Sequence, residues 1–435
     1  MTRRVLGMVL AVALGLGLAA GGAPPAQAHG PVPAQPQEGC LPPPPANSPD
    51  VPWSQQQLRP ERAWELTQGA GVVVAIVDSG VDGSIPQLRD RVLPGVDITG
   101  GGAANSDCVG HGTFVAGIVA AAVRPDTGFA GVAPEATILP VRITRTADSG
   151  EVDALALAEG IRTAVDRGAR VINVSASTTS APPGLRSAVE HAAARDVVLV
   201  ASAANGAEAG DLATFPATLP SVLAVGAVDA EGKHAQFSQT GPHLALAAPG
   251  VDVIGLGPGG PGHWEGSGTS FAAPFVSGTA ALIRAYHPEL SAVQVAERLK
   301  ATATAPAAAL PDPALGWGVV DPVAAVSALL PAENSGDRAE AVLAPFAPAP
   351  PDHLPAIIAS VLAVTTAMLV VVGAGLSVRL GHQGRRRSWR PARVLRPDRS
   401  IPAAEDRSGT AANVTERPGD THAVRDTSET VARGR

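Results

Sequence analysis

Apolar stretches alternate with amphipathic segments over most of the chain, from Trp53 to about Leu330. Four of these stretches are short, continuous and rich in Val and Ile, which is typical of strands buried on both faces of a parallel sheet. They cover residues 72–77, 171–174, 197–201 and 222–225. The alternation therefore predicts an α/β fold with a mostly parallel central sheet flanked by helices.

The segments between the strands have helical period. Leu157, Ile161 and Val165 recur every four residues and predict a helix, which Gly168 ends. A further helix is predicted over residues 184–195. We find no internal repeat, so we expect one large domain between the two ends of the chain.

The N-terminal end has the pattern of a signal peptide. Arg3 and Arg4 precede an uncharged run over residues 5–20, and Ala26 and Ala28 form a small-x-small cleavage site. We therefore expect residues 1–28 to be removed on export. A retained N-terminal anchor is the alternative.

The C-terminal end has the pattern of a membrane anchor. Residues 354–378 contain no charged side chain and are long enough to cross a hydrocarbon core of ~30 Å as a helix. Arginines are frequent in the tail, residues 379–435, which places that side in the cytoplasm by the positive-inside rule. The prediction is a single-pass protein of the cell membrane with its bulk outside the cytoplasm and its C-terminus inside. A buried globular helix is the alternative for this run.

Two proline-rich segments connect these parts. Residues 29–52 are predicted to form an extended arm, which is shorter than the ~40 residues below which a domain rarely folds alone. Residues 331–353 are predicted to be a linker from the large domain, residues 53–330, to the membrane. The tail is polar and almost without aromatic residues, so we expect it to be disordered.

Cys40 and Cys108 are the two cysteines of the chain. In an exported protein an even number of cysteines favours a disulfide, and this one would fasten the arm three residues before His111. A pair of free thiols is the other interpretation.

Composition excludes some function classes. The formal net charge of −7 argues against non-specific binding of nucleic acid. No cluster of His, Cys and Asp has the spacing of metal ligands, so we expect no metal and no other cofactor. A weak calcium site on loop carbonyls stays open.

Three short motifs carry an acid, a base and a nucleophile. Asp78 ends an apolar strand, His111 lies between two glycines, and Ser270 opens a helix that runs toward Tyr286, with Pro274 expected in its first turn. Each alone has an ordinary explanation, namely a turn after a strand, a structural histidine and an N-cap. Together, and in this order, they predict a Ser-His-Asp hydrolase.

A fourth motif, Ala203-Ala204-Asn205-Gly206, lies between the His and Ser motifs. Asn205 is expected to donate its side-chain amide to the oxyanion of a tetrahedral intermediate, with the backbone N–H of Ser270 as the second donor. An Asn before Gly is also common in turns.

These motifs resemble those of the subtilisin-like serine proteases, the subtilase family, over roughly residues 64–330. The resemblance implies a three-layer fold and an endopeptidase acting on polypeptides, with Asp78, His111 and Ser270 as acid, base and nucleophile and Asn205 as oxyanion donor.

The run Val171-Ile172-Asn173-Val174-Ser175 resembles the family's substrate-pairing strand, in which an extended peptide adds to a sheet edge. The resemblance implies that Ser175, Ala176 and Ser177 bind substrate. The family usually has Gly at the position of Ser177, so we expect a side chain there to narrow the S1 cleft.

The wider layout is similar to that of the mycosins, the membrane-anchored subtilases of type VII secretion systems. The similarity includes Pro52-Trp53, the run 58–64, the Cys-bearing arm and the single C-terminal span. It implies that components of the secretion complex in the same membrane are partners. The longer tail and the single possible disulfide depart from the pattern. A structural role in that complex without catalysis, or a degradative surface protease, are the alternatives.

Overall fold

The computed structural model describes residues 30–31, 40–146, 152–210, 212–334 and 354–387. The chain divides into two units, residues 1–341 and residues 342–435. The predicted signal peptide lies outside the described residues, as do most of the predicted linker and most of the predicted tail.

A seven-stranded, fully parallel sheet forms the centre of the first unit, with the strand order β3-β4-β2-β5-β6-β7-β8. Its strands are β2 (Val73–Asp78), β3 (Val96–Asp97), β4 (Thr137–Arg142), β5 (Val171–Val174), β6 (Val198–Ser202), β7 (Val222–Val228) and β8 (Leu244–Pro249). The mostly parallel α/β sheet predicted from the apolar runs is confirmed.

Helices cover both faces of this sheet. The main ones are α1 (Trp53–Leu58), α2 (His111–Ala120), α3 (Ala154–Asp166), α4 (Pro183–Ala194), α5 (Thr269–Tyr286), α6 (Ala292–Ala301) and α7 (Pro322–Ser327), followed by the short α8 (Pro331–Asn334). Because the sheet is covered on both sides, its strands are apolar on both faces, as continuous apolar runs require.

Two apolar cores lie on opposite faces of the sheet. One contains Phe114 and Ile118 of α2 together with Val276 and Ile283 of α5. The other contains the buried face of α3, including Leu157. Helix α5 is buried along nearly its whole length, which explains why it is apolar on all sides.

The start of α5 differs from the sequence-based expectation. The helix begins at Thr269, so Pro274 is its sixth residue and lies in the second turn rather than the first. In an α-helix the carbonyl of residue i accepts the N–H of residue i+4. Since proline has no N–H, the carbonyl of Ser270 has no such partner.

A second sheet is smaller and contains part of the arm. Strands β9 (Val253–Leu256) and β10 (His263–Gly266) form an antiparallel hairpin, and β1 (Gly30–Pro31) pairs with β10 in parallel. Further along the arm, the carbonyl of Ala46 accepts the N–H of His263 at 2.9 Å.

The predicted disulfide between Cys40 and Cys108 is present. Beside it, the N–H of Leu41 donates to the carbonyl of Cys108 at 3.0 Å. The arm is therefore attached covalently to the loop that precedes α2.

The second unit contains the helix α9 (Leu354–Arg386). Among the described residues, its segment Thr365–Arg386 is the one stretch long and apolar enough to cross a membrane. The sequence predicted a span over 354–378, and the helix covers all of it and continues eight residues further, to Arg386.

Candidate active site

The predicted catalytic residues meet at the carboxyl edge of the central sheet. Strands β2, β5 and β6 are neighbours there. Asp78 is the last residue of β2, Ser175 follows β5 directly, and Asn205 lies in the turn after β6. Helices α2 and α5 begin at the same edge, with His111 and Ser270 in their first turns. This is the edge at which parallel α/β sheets place their ligands.

Asp78 and His111 form a close pair. The Nδ1 atom of His111 lies 2.8 Å from one carboxylate oxygen of Asp78 and 2.9 Å from the other. The carboxylate is buried, whereas 30% of the imidazole is exposed. Because a carboxylate can only accept, Nδ1 carries the proton and Nε2 is free to act as a base.

The environment of His111 favours its charged form. Burial lowers the pKa of the imidazole, but the charge and hydrogen bond of Asp78, with a smaller effect of Asp107, outweigh burial. The pKa of His111 is therefore raised above its ordinary value of 6.5.

Asp107, four residues before His111, holds the start of α2. One carboxylate oxygen accepts the hydroxyl of Ser79 and the N–H groups of Val109 and Gly110, and the other accepts the N–H and hydroxyl of Thr113, all at 2.6–3.1 Å. Burial is the main cause that raises the pKa of Asp107. The hydroxyl of Ser79 also accepts the N–H of Gly112 at 3.0 Å, so α2 is fixed to the residue after Asp78.

Arg142, at the end of β4, fixes the other side of this turn. Its Nε donates to the carbonyl of Ser79 at 2.8 Å, and Nη1 donates to Asp97 at 2.7 Å. Burial alone would raise the pKa of Asp97, but hydrogen bonds from Thr99, Arg142 and two backbone N–H groups lower it to about 2. The Asp97–Arg142 pair is thus ionised and supports the backbone next to Asp78.

Gly112 permits the close approach of α2 to Asp78. A Cβ atom at this position would lie 2.1 Å from the carbonyl oxygen of Gly80 and 3.2 Å from the Cβ of Asp78. Any side chain there would therefore push α2, and His111 with it, away from the carboxylate.

Ser270 lies at the start of α5, but its hydroxyl does not bond to His111 in this structure. It donates instead to the carbonyl of Ser175 at 2.9 Å. The ring of the next residue, Phe271, lies 5.4 Å from the His111 ring, centroid to centroid, and 4.2 Å from the ring of Phe114. Asp78, His111 and Ser270 line one cleft of about 410 Å³.

Asn205 also lines this cleft. Its Oδ1 accepts both the N–H and the hydroxyl of Thr269 at 2.8 Å, which fixes the orientation of the amide. The preceding residue, Ala204, has a φ of 79°, a left-handed conformation that non-glycine residues seldom adopt. Such local strain is frequent where a side chain is held for function.

The residues predicted to bind substrate lie beside Ser270. The hydroxyl of Ser175 points inward and donates to the carbonyl of Ser270 at 2.6 Å. The carbonyl of Ser177 accepts the N–H of Val152 at 2.9 Å. A peptide that pairs with this segment would therefore find the Ser177 carbonyl already hydrogen-bonded within the protein.

A smaller pocket of about 260 Å³ shares Ser175, Ala176, Asn205 and Ser270 with the main cleft. Most of its remaining walls are uncharged polar side chains, namely Ser177, Thr178, Thr179, Ser202, Thr214 and Gln239. Among the described residues, no group of three or more His, Cys, Asp or Glu could hold a metal ion.

Comparison with known proteins decides the family. Residues 69–318 match the model of the subtilase family, peptidase S8, which covers more than half of the chain. The chain belongs to the subtilase family. This subtilase is a serine endopeptidase of the subtilisin type.

The same comparison relates this subtilase to the mycosins. Mycosin-4 of Mycobacterium tuberculosis is 38% identical over 61% of this chain and 67% of its own length. Mycosin-1 of Mycolicibacterium smegmatis is 32% identical over 86% of this chain and 98% of its own length. The crystal structure of MycP1 from the ESX-1 type VII secretion system superimposes with a TM-score of 0.60 and 31% identity, covering 71% of this chain and 94% of MycP1.

The structure brings Asp78, His111, Asn205 and Ser270 together in one cleft, as the sequence motifs predicted. The sequence interpretation missed Asp107 and Arg142, which hold the backbone beside Asp78 and His111. Asp107 has a local signal, an acidic residue just before a helix that opens with His111. Arg142 has no local signal, because only the pairing of β2 with β4 brings it beside Asp78 and Ser79.

Proposed function

We propose that this subtilase cleaves polypeptides through an acyl-enzyme on Ser270. The carboxylate of Asp78 keeps the proton of His111 on Nδ1, so Nε2 takes the proton of the Ser270 hydroxyl as the oxygen attacks the scissile carbonyl. His111 then gives that proton to the leaving amine. A water molecule, activated in the same way by His111, releases the acyl group. The 2.8 Å contact between Asp78 and His111 is the observation that carries the proposal.

The oxyanion of the tetrahedral intermediate would be bound by Asn205 Nδ2 and the backbone N–H of Ser270. Thr269 already occupies Oδ1 of Asn205, which leaves the amide N–H groups for the substrate. The N–H of Ser270 belongs to the first turn of α5, where backbone donors have no partner within the helix. The partial positive charge of the helix N-terminus adds to this stabilisation.

Substrate binding would also release the nucleophile. The carbonyl of Ser175 holds the Ser270 hydroxyl in the free enzyme. A peptide that pairs with the strand Ser175–Ser177 offers an N–H to that same carbonyl. Competition for this acceptor would free the Ser270 hydroxyl to turn toward His111.

The division of the chain and its topology are part of the proposal. We infer a signal peptide (1–28), an arm (29–52), a peptidase domain (53–330), a linker (331–353), a membrane helix (354–378) and a cytoplasmic tail (379–435). The apolar segment of α9 and the arginines at its end support a single anchor with the peptidase domain outside the cytoplasm. The resemblance to mycosins supports a partner among the type VII secretion components.

Cleavage of an unfolded protein substrate tests the catalytic proposal. The full-length chain, purified in detergent as wild type and as Ser270→Ala, is incubated with the substrate and the fragments are counted by mass spectrometry. We expect fragments with the wild type alone. Equal cleavage by both proteins would contradict the proposal.

A second candidate is a stabilising component of the secretion complex that does not need catalysis. The Ser270 hydroxyl bonded to Ser175 instead of His111 favours this reading. A strain with Ser270→Ala that secretes as the wild type does, while a strain lacking the whole chain does not, would support it. Loss of secretion in both strains would support the catalytic function.

A further inference from the structure

The carbonyl of the proposed nucleophile has an unusual partner. Ser270 lies in the first turn of α5, and the residue four positions on is Pro274, which has no N–H to donate. An unpaired carbonyl at this half-buried position would be costly. The hydroxyl of Ser175 supplies the missing hydrogen bond at 2.6 Å.

Ser175 and Ser270 thus hold each other twice. The Ser175 hydroxyl donates to the Ser270 carbonyl, and the Ser270 hydroxyl donates to the Ser175 carbonyl at 2.9 Å. Because a carbonyl can only accept, the Ser175 hydroxyl uses its one proton in the first bond, and its oxygen can still accept a hydrogen bond from another donor.

Asn173 is that donor, and Ser277 holds Asn173 in place. The amide nitrogen of Asn173 donates to the Ser175 hydroxyl at 2.9 Å, and its amide oxygen accepts the hydroxyl of Ser277 at 2.8 Å. Asn173 and Ser277 are completely buried, and Ser175 is nearly so. Ser277 lies seven residues after Ser270 and therefore on the same face of α5.

We propose that Asn173 and Ser277 are positioning residues for Ser270, acting through Ser175. The Ser277 hydroxyl orients the Asn173 amide, the amide orients the Ser175 hydroxyl, and that hydroxyl holds the first turn of α5 against the end of β5. We call this chain of three hydrogen bonds the serine relay. It deepens the proposed function, since it rests on Ser270 being the nucleophile.

A simpler explanation of these contacts is that the buried polar groups only supply one another with hydrogen bonds in the core. The two explanations differ in what they predict for kinetics. If the hydrogen bonds only stabilise the core, their removal lowers the stability of the protein alone. If they position Ser270, their removal also lowers kcat, because a displaced nucleophile attacks more slowly at the same substrate affinity.

Helix α5 offers a matched control for Ser277. Thr279 is also completely buried, and its hydroxyl bonds only to the carbonyl of Phe275, one turn back in the same helix, at 2.8 Å. Ser277→Ala and Thr279→Val each remove one buried hydroxyl from α5, but Ser277→Ala alone interrupts the relay.

The experiment measures peptide hydrolysis and the rate of labelling by a fluorophosphonate in full-length wild type, Ser277→Ala, Thr279→Val, Ser175→Ala and the double variant Ser175→Ala/Ser277→Ala. Ser270→Ala is the blank, and thermal unfolding checks that each variant is folded. We expect Ser277→Ala to lower kcat and labelling about five- to tenfold, the effect of about one hydrogen bond, with KM within about twofold. Thr279→Val should match the wild type.

The double variant tests whether Ser277 acts through Ser175. We expect it to be no slower than Ser175→Ala alone, because residues in one network are not additive. The relay would be overturned if the losses of kcat in Ser175→Ala and Ser277→Ala added up in the double variant, or if Ser277→Ala had the kcat of the wild type. Labelling of the wild type but not of Ser270→Ala would still support Ser270 as the nucleophile in either case. Labelling that is equal in wild type and Ser270→Ala would overturn the nucleophile assignment, and the relay with it.

Discussion

The Ser270 hydroxyl donates to the carbonyl oxygen of Ser175, 2.9 Å away, while His111 is bound to Asp78 through Nδ1. The proposed base is therefore already oriented in the free enzyme, whereas the hydroxyl of the proposed nucleophile is bonded to another group. Because the acceptor is a backbone group with which an extended peptide can pair, we expect bound substrate to change the position of the Ser270 hydroxyl.

Asn205 is predicted to act mainly on kcat. Asn205→Ala removes a hydrogen-bond donor that we expect to bind the oxyanion of the transition state and to interact little with the bound substrate. We therefore expect kcat to fall about 10²–10³-fold, with KM within about twofold of the wild-type value. Steady-state kinetics on one peptide substrate measures both values. Thr269→Val is the control, since its backbone N–H still holds Asn205 Oδ1, and a loss below about tenfold is expected. Equal kcat values for Asn205→Ala and wild type would contradict the assignment.

The pH dependence should follow the Asp78–His111 pair. Catalysis needs a neutral imidazole, so kcat/KM falls as pH drops below the pKa of His111, and the raised pKa moves this acid limb to higher pH. Asp78→Asn removes the charge and hydrogen bond that raise the pKa. The remaining activity, lower by about 10⁴-fold, should therefore have its acid limb at lower pH.

A pH profile of kcat/KM from about pH 4 to about pH 9 checks this prediction. The conservative control is Asp126→Asn, which removes an exposed carboxylate that pairs with Arg124. An acid limb that stays in place in Asp78→Asn would show that another group controls it.

Substrate preference should depend on Ser177. The pocket of about 260 Å³ beside Ser270 lies away from His111, which must protonate the leaving amine, so it fits the side chain on the acyl side of the cleaved bond. Its described lining residues carry no charge, which predicts poor cleavage after Lys or Glu, since a buried charge would be unpaired there.

Ser177→Gly removes a side chain from the wall of this pocket. Two peptides that differ only in the residue before the cleaved bond, Phe in one and Ala in the other, are compared. We expect the kcat/KM of the Phe peptide, divided by that of the Ala peptide, to rise about tenfold in Ser177→Gly. Ser180→Gly, at an exposed position outside the pocket, is the matched control and should leave the ratio unchanged. An unchanged ratio in Ser177→Gly would place the specificity pocket elsewhere.

The disulfide between Cys40 and Cys108 should stabilise the peptidase domain. It closes a segment with a sequence separation of 68. Removing it in Cys40→Ser/Cys108→Ser should lower the free energy of unfolding by about 2–4 kcal/mol. Thermal unfolding with and without a reducing agent measures this effect, and the reducing agent should lower the Tm of the wild type but not that of the double variant. Equal Tm values for the wild type and the double variant without reducing agent would mean that the cross-link adds no stability.

Local patterns predicted four of the seven strands of the central sheet, namely β2, β5, β6 and β7, and missed β3, β4 and β8. The first apolar run stops at Val77, and β2 ends one residue later, at Asp78, as the motif of Asp78 indicated. Likewise β6 continues to Ser202. Both residues are polar and buried, so a criterion of apolar runs stops one residue too early. The motif residues themselves were predictable because Asp78, His111 and Ser270 each lie at the boundary of an element.

The supporting contacts were not predictable in the same way. Ser175 and Ser270 are 95 residues apart, and Asn173 and Ser277 are 104 residues apart. No periodicity or local motif connects such positions, since only the parallel pairing of β2, β5 and β6 and the packing of α5 beneath them bring them together. Pro274 gave one indirect signal, because a proline inside a helix leaves a carbonyl that another group must satisfy.

Mass spectrometry of the labelled chain identifies the serine that acts as nucleophile. The full-length protein is treated with a fluorophosphonate and digested, and the modified residue is located by fragmentation. We predict a single adduct on Ser270 in the wild type, slower labelling in Asp78→Asn, and no adduct on this peptide in Ser270→Ala. An adduct on another serine, or a folded wild type that acquires none, would contradict the assignment of Ser270 as nucleophile.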